Sequence, residues 1–179
     1  SSMGLVVLYA ASMAESHATK NDIIKTVKKL KRYISSAFII DNTQMMCQAG
    51  KISRRTQILC DALLLHPIIA LRKSRMVVGG VGTGDFTHMA KSYVRRVFRD
   101  VGSIDRRVLF ITYAGMDKKR LQYIQDLVGQ YCTFERVYLQ KASSAIASNC
   151  GPGSFGLLFM RKNEAVISYS EASRQNILE

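Results

Sequence analysis

Polar side chains meet a tight turn near the carboxyl end of the chain, an arrangement suited to holding a ligand. Residues 148–159 read SNCGPGSFGLLF, with Asn149 and Cys150 directly before a Gly-Pro-Gly run. Proline fixes φ and donates no N–H, while flanking glycines let the backbone approach a neighbour or a ligand. The pattern predicts a backbone-rich turn ahead of a buried element, with Asn149 and Cys150 at its mouth. An ordinary turn before a strand is the alternative.

The cysteines could supply a nucleophile or metal ligands. Cys47, Cys60, Cys132 and Cys150 form no CxxC pair and have no histidine at metal-ligand spacing. Cys150 heads a glycine turn, but it would act as a nucleophile only if a histidine distant in sequence reached it in the fold. We therefore predict reduced thiols, no metal site and no catalytic residue.

Positive charge is the other feature that could bind a partner. The chain has 26 Lys and Arg against 13 Asp and Glu, a formal net charge of +13. Basic residues cluster at residues 28–32, 54–55, 72–75, 95–99, 106–107 and 118–120. Such a field attracts polyanions, so a module that binds nucleic acid or another polyanion is an alternative function. The clusters are scattered over several elements without a nucleic-acid-binding motif, which favours solvated helix faces and makes nucleic acid an unexpected partner.

The composition is that of a globular domain. Of the 179 residues, 47% are hydrophobic and 22% charged, with a mean hydropathy of +0.02. No window has about 18 uninterrupted apolar residues, so no membrane span is predicted. The apolar residues 4–14 lack a basic leader, so we expect no signal peptide and a cytoplasmic location. The chain begins with Ser1 rather than Met, which favours a processed product or a fragment.

Hydrophobic periodicity predicts alternating helices and strands. The predicted helices are a buried one over residues 4–17, one capped by Thr19 or Asn21, and others near residues 56–65, 86–101 and 121–131. The predicted strands are residues 37–40, 107–113, 134–139 and 157–160, with a hairpin joining 68–71 to 76–78. This order predicts an α/β or α+β domain in which helices cover a mixed sheet.

Three further segments carry predictions of their own. Four glycines within residues 79–84 match neither GxGxxG nor a P-loop, so they predict a flexible connector instead of a phosphate site. Residues 143–147 are predicted to open the turn before the Gly-Pro-Gly run. We place one domain over residues 1–165 and a polar carboxyl-terminal tail over 166–179.

Several of these motifs together resemble the DegV family of fatty-acid-binding proteins. Residues 149–153 (NCGPG) resemble the family's His-Thr-Gly-Pro-Gly signature, and residues 48–53 (QAGKIS) resemble its Gly-Gly-Arg-Ile-Ser run. Residues 65–71 (LHPIIAL) are similar to its Ile-Lys-Pro-Ile-Leu run, and residues 2–5 (SMGL) open a stretch like the first helix of the family's second half. Order and spacing agree over residues 1–162.

The resemblance implies a fold and a function. Family members have two domains and hold a long-chain fatty acid with its tail among apolar side chains and its carboxylate on polar groups. Some present that carboxylate to a separate fatty acid kinase, so the binding protein is a carrier and not the catalyst. By this comparison the amino-terminal part of the family fold is missing here. The bound fatty acid would be the ligand, with no cofactor.

The resemblance also implies site residues. The ligand-binding positions would be Asn149, Cys150, Gly151, Gly153, Lys51 and Ser53. Asn149 stands where the family has His, Cys150 where it has Thr and Lys51 where it has Arg, while Gly151 and Gly153 shape the turn. A second family Arg falls at Gly82.

These departures from the family pattern weaken the polar end of the predicted site. Asn149 can donate a hydrogen bond but cannot carry charge or shuttle a proton near pH 7 as His can. Lys51 retains the positive charge of Arg but cannot donate two parallel hydrogen bonds as a guanidinium does. Gly82 has neither property. A diverged sensor or structural domain without phosphoryl hand-off is therefore a further alternative.

Overall fold

Helices and strands alternate along the chain. The computed structural model describes residues 2–72 and 75–162. The helices are α1 (Ser2–Glu15), α2 (Lys20–Leu30), α3 (Gln44–Gln48), α4 (Arg54–Ala62), α5 (Phe86–Val97), α6 (Lys118–Tyr131) and α7 (Ser144–Cys150). The strands are β1 (Ile34–Ile39), β2 (Leu65–Arg72), β3 (Arg75–Thr83), β4 (Ile104–Tyr113), β5 (Arg136–Lys141) and β6 (Phe155–Arg161). Short 3-10 turns, Lys31–Tyr33 and Val101–Ser103, lead into β1 and β4.

The strands form one six-stranded mixed sheet in the order β3-β2-β1-β6-β4-β5. Strands β4 and β5 pair in parallel, with α6 as the crossover between them. The other neighbours pair antiparallel, including the predicted hairpin of β2 and β3. Strand β6 is the last of the strands described along the chain and lies between β1 and β4. The predicted fold class, a mixed sheet covered by helices, is confirmed.

Helices α5 and α6 close one face of the sheet. Their buried side chains pack on apolar residues of β1, β4 and β6, forming the largest core cluster among the described residues. Tyr93 of α5 lies at the centre, where its hydroxyl donates to Ala37 O at 2.6 Å and accepts from Leu157 N at 3.1 Å. Burial raises the pKa of Tyr93, so the phenol stays neutral and both bonds are maintained.

Side-chain caps explain where four of the helices begin. The side chains of Thr19, Ser53, Asp85 and Asp117 each accept a backbone N–H from the residue three positions later. These bonds satisfy donors that have no partner inside the helix. Of the two caps predicted for α2, Thr19 is the one observed, and Asn21 lies inside the helix.

Helices α1 and α2 cover only one end of the opposite face. Leu5 and Tyr9 of α1 pack with Leu30 of α2 against β4 and β6. The expectation of a buried first helix is wrong for its outer side, where Met3 is 79% exposed and Val7 is 58% exposed. A helix that lies on a sheet without a further layer buries one side only.

A buried polar cluster fixes α1 on β4. The Tyr9 hydroxyl donates to Asp105 Oδ2, and Arg107 Nη2 donates to the same oxygen at 2.7 Å. The Arg107 guanidinium also lies 4.5 Å from the centre of the Tyr9 ring. Burial alone would raise the pKa of Asp105, but the hydrogen bonds from Arg107 and Tyr9 outweigh it and lower that pKa. Asp105 is therefore a carboxylate held between two donors.

The glycine run after the hairpin is part of the sheet. The prediction of a flexible connector over residues 79–84 is wrong, because residues 75–83 form β3 and pair with β2. A Cβ on Gly80 would lie 2.7 Å from Arg96 Cζ, and one on Gly82 would lie 2.9 Å from Ile39 Cδ1. The glycines admit the side chains of α5 and the core, which local sequence does not reveal.

Two other boundaries differ from the prediction. Residues 144–150 form α7, although the sequence predicted the opening of a turn there. The helix predicted over residues 56–65 ends at Ala62, because residues from Leu65 onward pair in β2. The predicted tail over residues 166–179 and part of the turn of the hairpin lie outside the described residues.

Candidate functional site

A groove of about 610 Å³ lies on the sheet face that α1 and α2 leave partly uncovered. Strands β1, β2, β3, β4 and β6 contribute to its lining, with α7 on one side and Ser2 of α1 on another. Most lining side chains are apolar, among them Ile40, Met46, Leu71, Met76, Ile146 and Leu158. Volumes of this order are typical of small-molecule pockets.

One cross-strand row forms the middle of the groove floor. Register places Val78, Ile69, Phe38, Gly156 and Thr112 side by side on β3, β2, β1, β6 and β4, and all five line the groove. Directly paired residues point to the same face of a sheet. Val78, Ile69 and Phe38 have apolar side chains and Gly156 has none. The row therefore provides a continuous apolar floor that ends at the hydroxyl of Thr112.

Gly156 opens the centre of this row. A Cβ at that position would lie 2.8 Å from Ala37 O and 2.9 Å from Phe38 Cβ. The missing side chain lets β1 and β6 pair closely and leaves space above the sheet.

The Gly-Pro-Gly turn adopts backbone angles that favour glycine. Gly151 has φ of 75° and Gly153 has φ of 81°. A Cβ on Gly153 would overlap Asp41 Oδ2 and lie 2.9 Å from Asp41 Cβ. Ser154 then ties the turn down, because its Oγ donates to Cys150 O at 2.7 Å and accepts from Asp41 N at 3.3 Å. The turn therefore fixes the end of α7 against the end of β1.

Three of the predicted ligand-binding residues line the groove. Asn149, Cys150 and Lys51 all contribute to its wall, beside α7 and after α3. Asn149 and Lys51 are exposed, and one amide hydrogen of Asn149 Nδ2 is donated to Ala145 O at 2.8 Å. Cys150 is buried, and that burial raises the pKa of its thiol. These three residues therefore contribute an amide, a lysine side chain and a protonated thiol to the groove wall.

The other predicted positions do not line the groove. Gly151 and Gly153 shape the turn, and Ser53 caps α4 by accepting from Thr56 N at 3.1 Å. Gly82, where the resemblance places a second Arg, pairs with His66 inside the sheet. Ligand-binding roles at Gly151, Gly153 and Ser53 stay predictions.

A charged cluster of Asp41, Arg120 and His66 lies next to the Gly-Pro-Gly turn. Asp41 lies 3.4 Å from Arg120 Nη1 and 3.7 Å from His66 Nδ1, measured from its carboxylate oxygens. His66 is itself held between two carbonyls, with Nδ1 3.2 Å from Ile40 O and Nε2 2.8 Å from Gly84 O. Within residues 2–72 and 75–162, no hydrogen bond joins His66 or another histidine to Cys150.

Thr112 is a groove residue that sequence reasoning missed. Its Oγ1 is buried and has no hydrogen-bond partner among the described residues. Along β4 the residues facing this side alternate as Val108, Phe110 and Thr112, so a hydroxyl interrupts an apolar strand face. This interruption was the sequence signal that could have identified Thr112, since a buried hydroxyl without a partner is unfavourable.

Other kinds of site find little support in the described part of the chain. It contains no group of three or more His, Cys, Asp or Glu placed to hold a metal ion. No helix there has the length and apolar character needed to cross a membrane. One arginine in each of four basic clusters bonds within the chain: Arg54 to Gln57, Arg96 to Gly79, Arg107 to Asp105 and Arg120 to Asp41.

Comparison with known families and sequences gives consistent matches. The model of the family described as "Uncharacterised protein, DegV family" matches residues 1–162. A DegV domain-containing protein of Streptococcus pyogenes serotype M3 is 24% identical over 159 residues, which is 87% of this chain and 54% of that protein. The chain thus spans about half the length of the curated relatives it matches.

Solved structures show the same fold. A DegV family protein from Eubacterium eligens loaded with heptadecanoic acid superposes with a TM-score of 0.73 at 14% identity, over 89% of this chain and 57% of that one. The Streptococcus pneumoniae Fatty Acid Kinase (Fak) B3 protein loaded with linoleic acid gives 0.72 at 7% identity, over 88% and 55%. At such identities the likeness extends to the fold.

Proposed function

The chain belongs to the DegV family, and on that premise we propose that its groove binds the acyl chain of a long-chain fatty acid. The observation that carries the proposal is the apolar floor of Val78, Ile69, Phe38 and Gly156, with polar side chains at one end. Each methylene group that leaves water for such a floor contributes about 0.8 kcal/mol. The fatty acids in the Eubacterium eligens and Streptococcus pneumoniae structures support this ligand class.

We place the carboxylate near Asn149 and Cys150. Lys51 is the charged residue among the described side chains that line the groove, and Asn149 adds an amide beside it. A carboxylate leaves water at a high cost unless donors or a cation receive it. Gly151 and Gly153 contribute by holding the end of α7 in position, so their role in this proposal is indirect.

The proposed role is that of a carrier without catalysis of its own. The protonated Cys150 thiol and the absence of a hydrogen bond from it to a histidine in the described residues support this. The name of the Streptococcus pneumoniae protein supports a fatty acid kinase as the partner that would act on the bound carboxylate. Such a role needs no cofactor, and four free cysteines fit a reducing cytoplasm.

Bound fatty acid should be detectable directly. Purified protein extracted with organic solvent should release close to one long acyl chain per molecule, measured by mass spectrometry against an internal standard. Asn149→Leu should lower affinity about tenfold because the carboxylate loses a donor. Ser148→Leu is the control, since Ser148 is an exposed neighbour on α7 that does not line the groove. Protein free of acyl chains that also takes up no added fatty acid would contradict the proposal.

The groove floor should be sensitive to charge at one position of β3 and not at another. Val78 lines the groove and is 67% exposed, whereas Val81 is 50% exposed on the same strand outside the groove. Val78→Asp should weaken fatty acid binding about thirtyfold, or about 2 kcal/mol, because the acyl chain would cover a carboxylate. Val81→Asp should bind as the unaltered chain does. Equal effects of the two changes in a fluorescent fatty acid titration would show that the ligand lies elsewhere.

A further inference from the structure

A second cavity, of about 270 Å³, lies beside the carboxyl end of α5. Ser35 and Ile68 line it, and because side chains alternate along a strand they face away from the groove residues Ser36 and Ile69. The cavity is therefore on the sheet face opposite the groove. Its size is below that of pockets for drug-sized ligands, so it suits a small ligand and not an acyl chain.

Short side chains on neighbouring strands make room for this cavity. Ala37 of β1 pairs with Ala70 of β2, and both line the cavity together with Gly79 of β3. The sheet therefore stays uncovered where α5 ends. Ser35 adds a hydroxyl to the cavity wall.

Arg96 is held at one side of the cavity. It lies in the last turn of α5, and its Nη2 donates to Gly79 O at 2.6 Å. A Cβ on Gly80 would lie 2.7 Å from Arg96 Cζ, so the guanidinium rests against β3 in space that a glycine provides. The carbonyl and the glycine together determine where this positive charge lies.

Arg161 lines the same cavity from β6. It follows Phe159 by two positions on the strand and so points to the same face as that core residue. Its Nη1 donates to Ser103 Oγ at 2.9 Å. A neutral hydroxyl thus orients this side chain without balancing its charge.

The cavity has positive charge and no described acid to balance it. Arg96 and Arg161 are the charged residues among the described ones that line it. The ion pairs found within the described residues are at Asp41 and Asp105 and include neither arginine. The bonds described for each guanidinium use one of its five N–H donors. Two cations that share a small cavity repel each other, and an anion between them removes that cost.

We infer that this cavity binds a phosphate group, as inorganic phosphate or as a small phosphomonoester. Such a group carries close to two negative charges at neutral pH and balances both guanidinium groups, whose paired N–H donors its oxygens accept. A carboxylate carries one charge and matches one arginine. The site is separate from the groove and does not rest on the fatty acid proposal.

Calorimetric titration of the 179-residue chain with inorganic phosphate and with glycerol 3-phosphate tests the site, in a buffer free of phosphate and sulfate. One saturable site with a Kd of about 1 mM or below is expected for at least one of them. Arg96→Gln and Arg161→Gln should each weaken binding about tenfold, because a charge-assisted hydrogen bond is lost. The ligand that binds more tightly identifies the source of the phosphate group.

Matched variants separate the site from the general positive charge of the surface. Arg95→Gln and Lys162→Gln each remove a charge from an exposed neighbour that does not line the cavity, and they should leave phosphate binding unchanged. Gly80→Ala keeps both arginines but displaces the Arg96 guanidinium, so it should weaken binding about as much as Arg96→Gln does. Each variant is titrated below its own thermal midpoint, so that a loss of binding does not reflect unfolding.

Two results would overturn the inference. One is the absence of saturable binding of both phosphate compounds. The other is equal weakening by the cavity variants and by their matched controls, which would assign the binding to the overall charge. The groove proposal is tested by acyl binding on the opposite face, so either result would leave it standing.

Discussion

Replacing Gly153 with alanine is expected to lower the free energy of unfolding by about 3 kcal/mol. Gly153 has φ of 81°, a conformation that costs a residue with a Cβ about 1–2 kcal/mol. The added Cβ would also overlap Asp41 Oδ2. Asp41 cannot move aside freely, because Arg120 holds its carboxylate at 3.4 Å and its backbone N–H donates to Ser154 Oγ at 3.3 Å. The measurement is urea unfolding followed by circular dichroism.

Two other glycines are matched controls for this change. Gly50 has φ of 67° and no described atom within 4 Å of an added Cβ, so Gly50→Ala tests the backbone cost alone, about 1 kcal/mol. Gly129 lies inside α6, also with nothing within 4 Å, so Gly129→Ala should raise stability by about 0.5 kcal/mol. If Gly153→Ala lowers the free energy of unfolding by no more than Gly50→Ala does, Asp41 does not lie as close to Gly153 as described.

Replacing Asp105 with asparagine should lower the free energy of unfolding by about 2 kcal/mol and the thermal midpoint by about 4–8 °C. The change removes the carboxylate that receives Tyr9 and Arg107, leaving a half-buried guanidinium without its anion. The loss stays below that of a fully buried pair because the Arg107 side chain is 23% exposed. Asp126→Asn is the control, since Asp126 is exposed and accepts only from Gln122 among the bonds described.

The same substitution should alter the dependence of stability on pH. The pKa of Asp105 is lower in the folded chain than its ordinary value, because the hydrogen bonds from Arg107 and Tyr9 outweigh the effect of burial. Its ionised form therefore adds stability above the ordinary pKa of a carboxyl, and this is lost as the pH falls through the folded value. The difference between the unaltered chain and Asp105→Asn should be full at pH 7 and shrink in acid. A difference in acid, below the ordinary pKa of a carboxyl, that is as large as the difference at pH 7 would contradict the assignment.

Elements with strong local signals were predictable from the sequence. Apolar residues at three- and four-residue spacing placed α6, and Thr19 marked the start of α2. The short polar interval at residues 72–75 placed the β2–β3 hairpin. In each case the deciding residues lie within a few positions of one another, where periodicity and capping chemistry act.

Elements decided by distant contacts were not predictable in the same way. Gly80 and Gly82 suggested a flexible connector, yet they make room for Arg96 and Ile39, which are remote in sequence. Residues 144–150 are rich in Ser and Ala, and their helical state went unrecognised behind the turn signal of the glycines that follow. The competing principle in both cases is tertiary contact overriding local propensity.

Some residues of the candidate site were likewise predictable from the sequence and others were not. Asn149, Cys150 and Lys51 were identified through a family resemblance, and the fold brings all three to one groove. Thr112 was missed because its importance depends on lying in the same row as Gly156 and Phe38. No local pattern states that β6 will separate β1 from β4, and that placement brings the row together.

The central position of β6 also determines when the sheet can become complete during synthesis. Strands β1 to β3 form one half of the sheet and β4 with β5 the other, and among the described strands β6 is the one that joins the two halves. A chain growing from its amino end on the ribosome therefore holds two half-sheets, each with an open edge, until residues 155–161 have emerged. Gly156 belongs to that strand and to the groove floor, so the step that closes the sheet also completes the groove. A nascent chain therefore presents no complete groove before these residues have emerged.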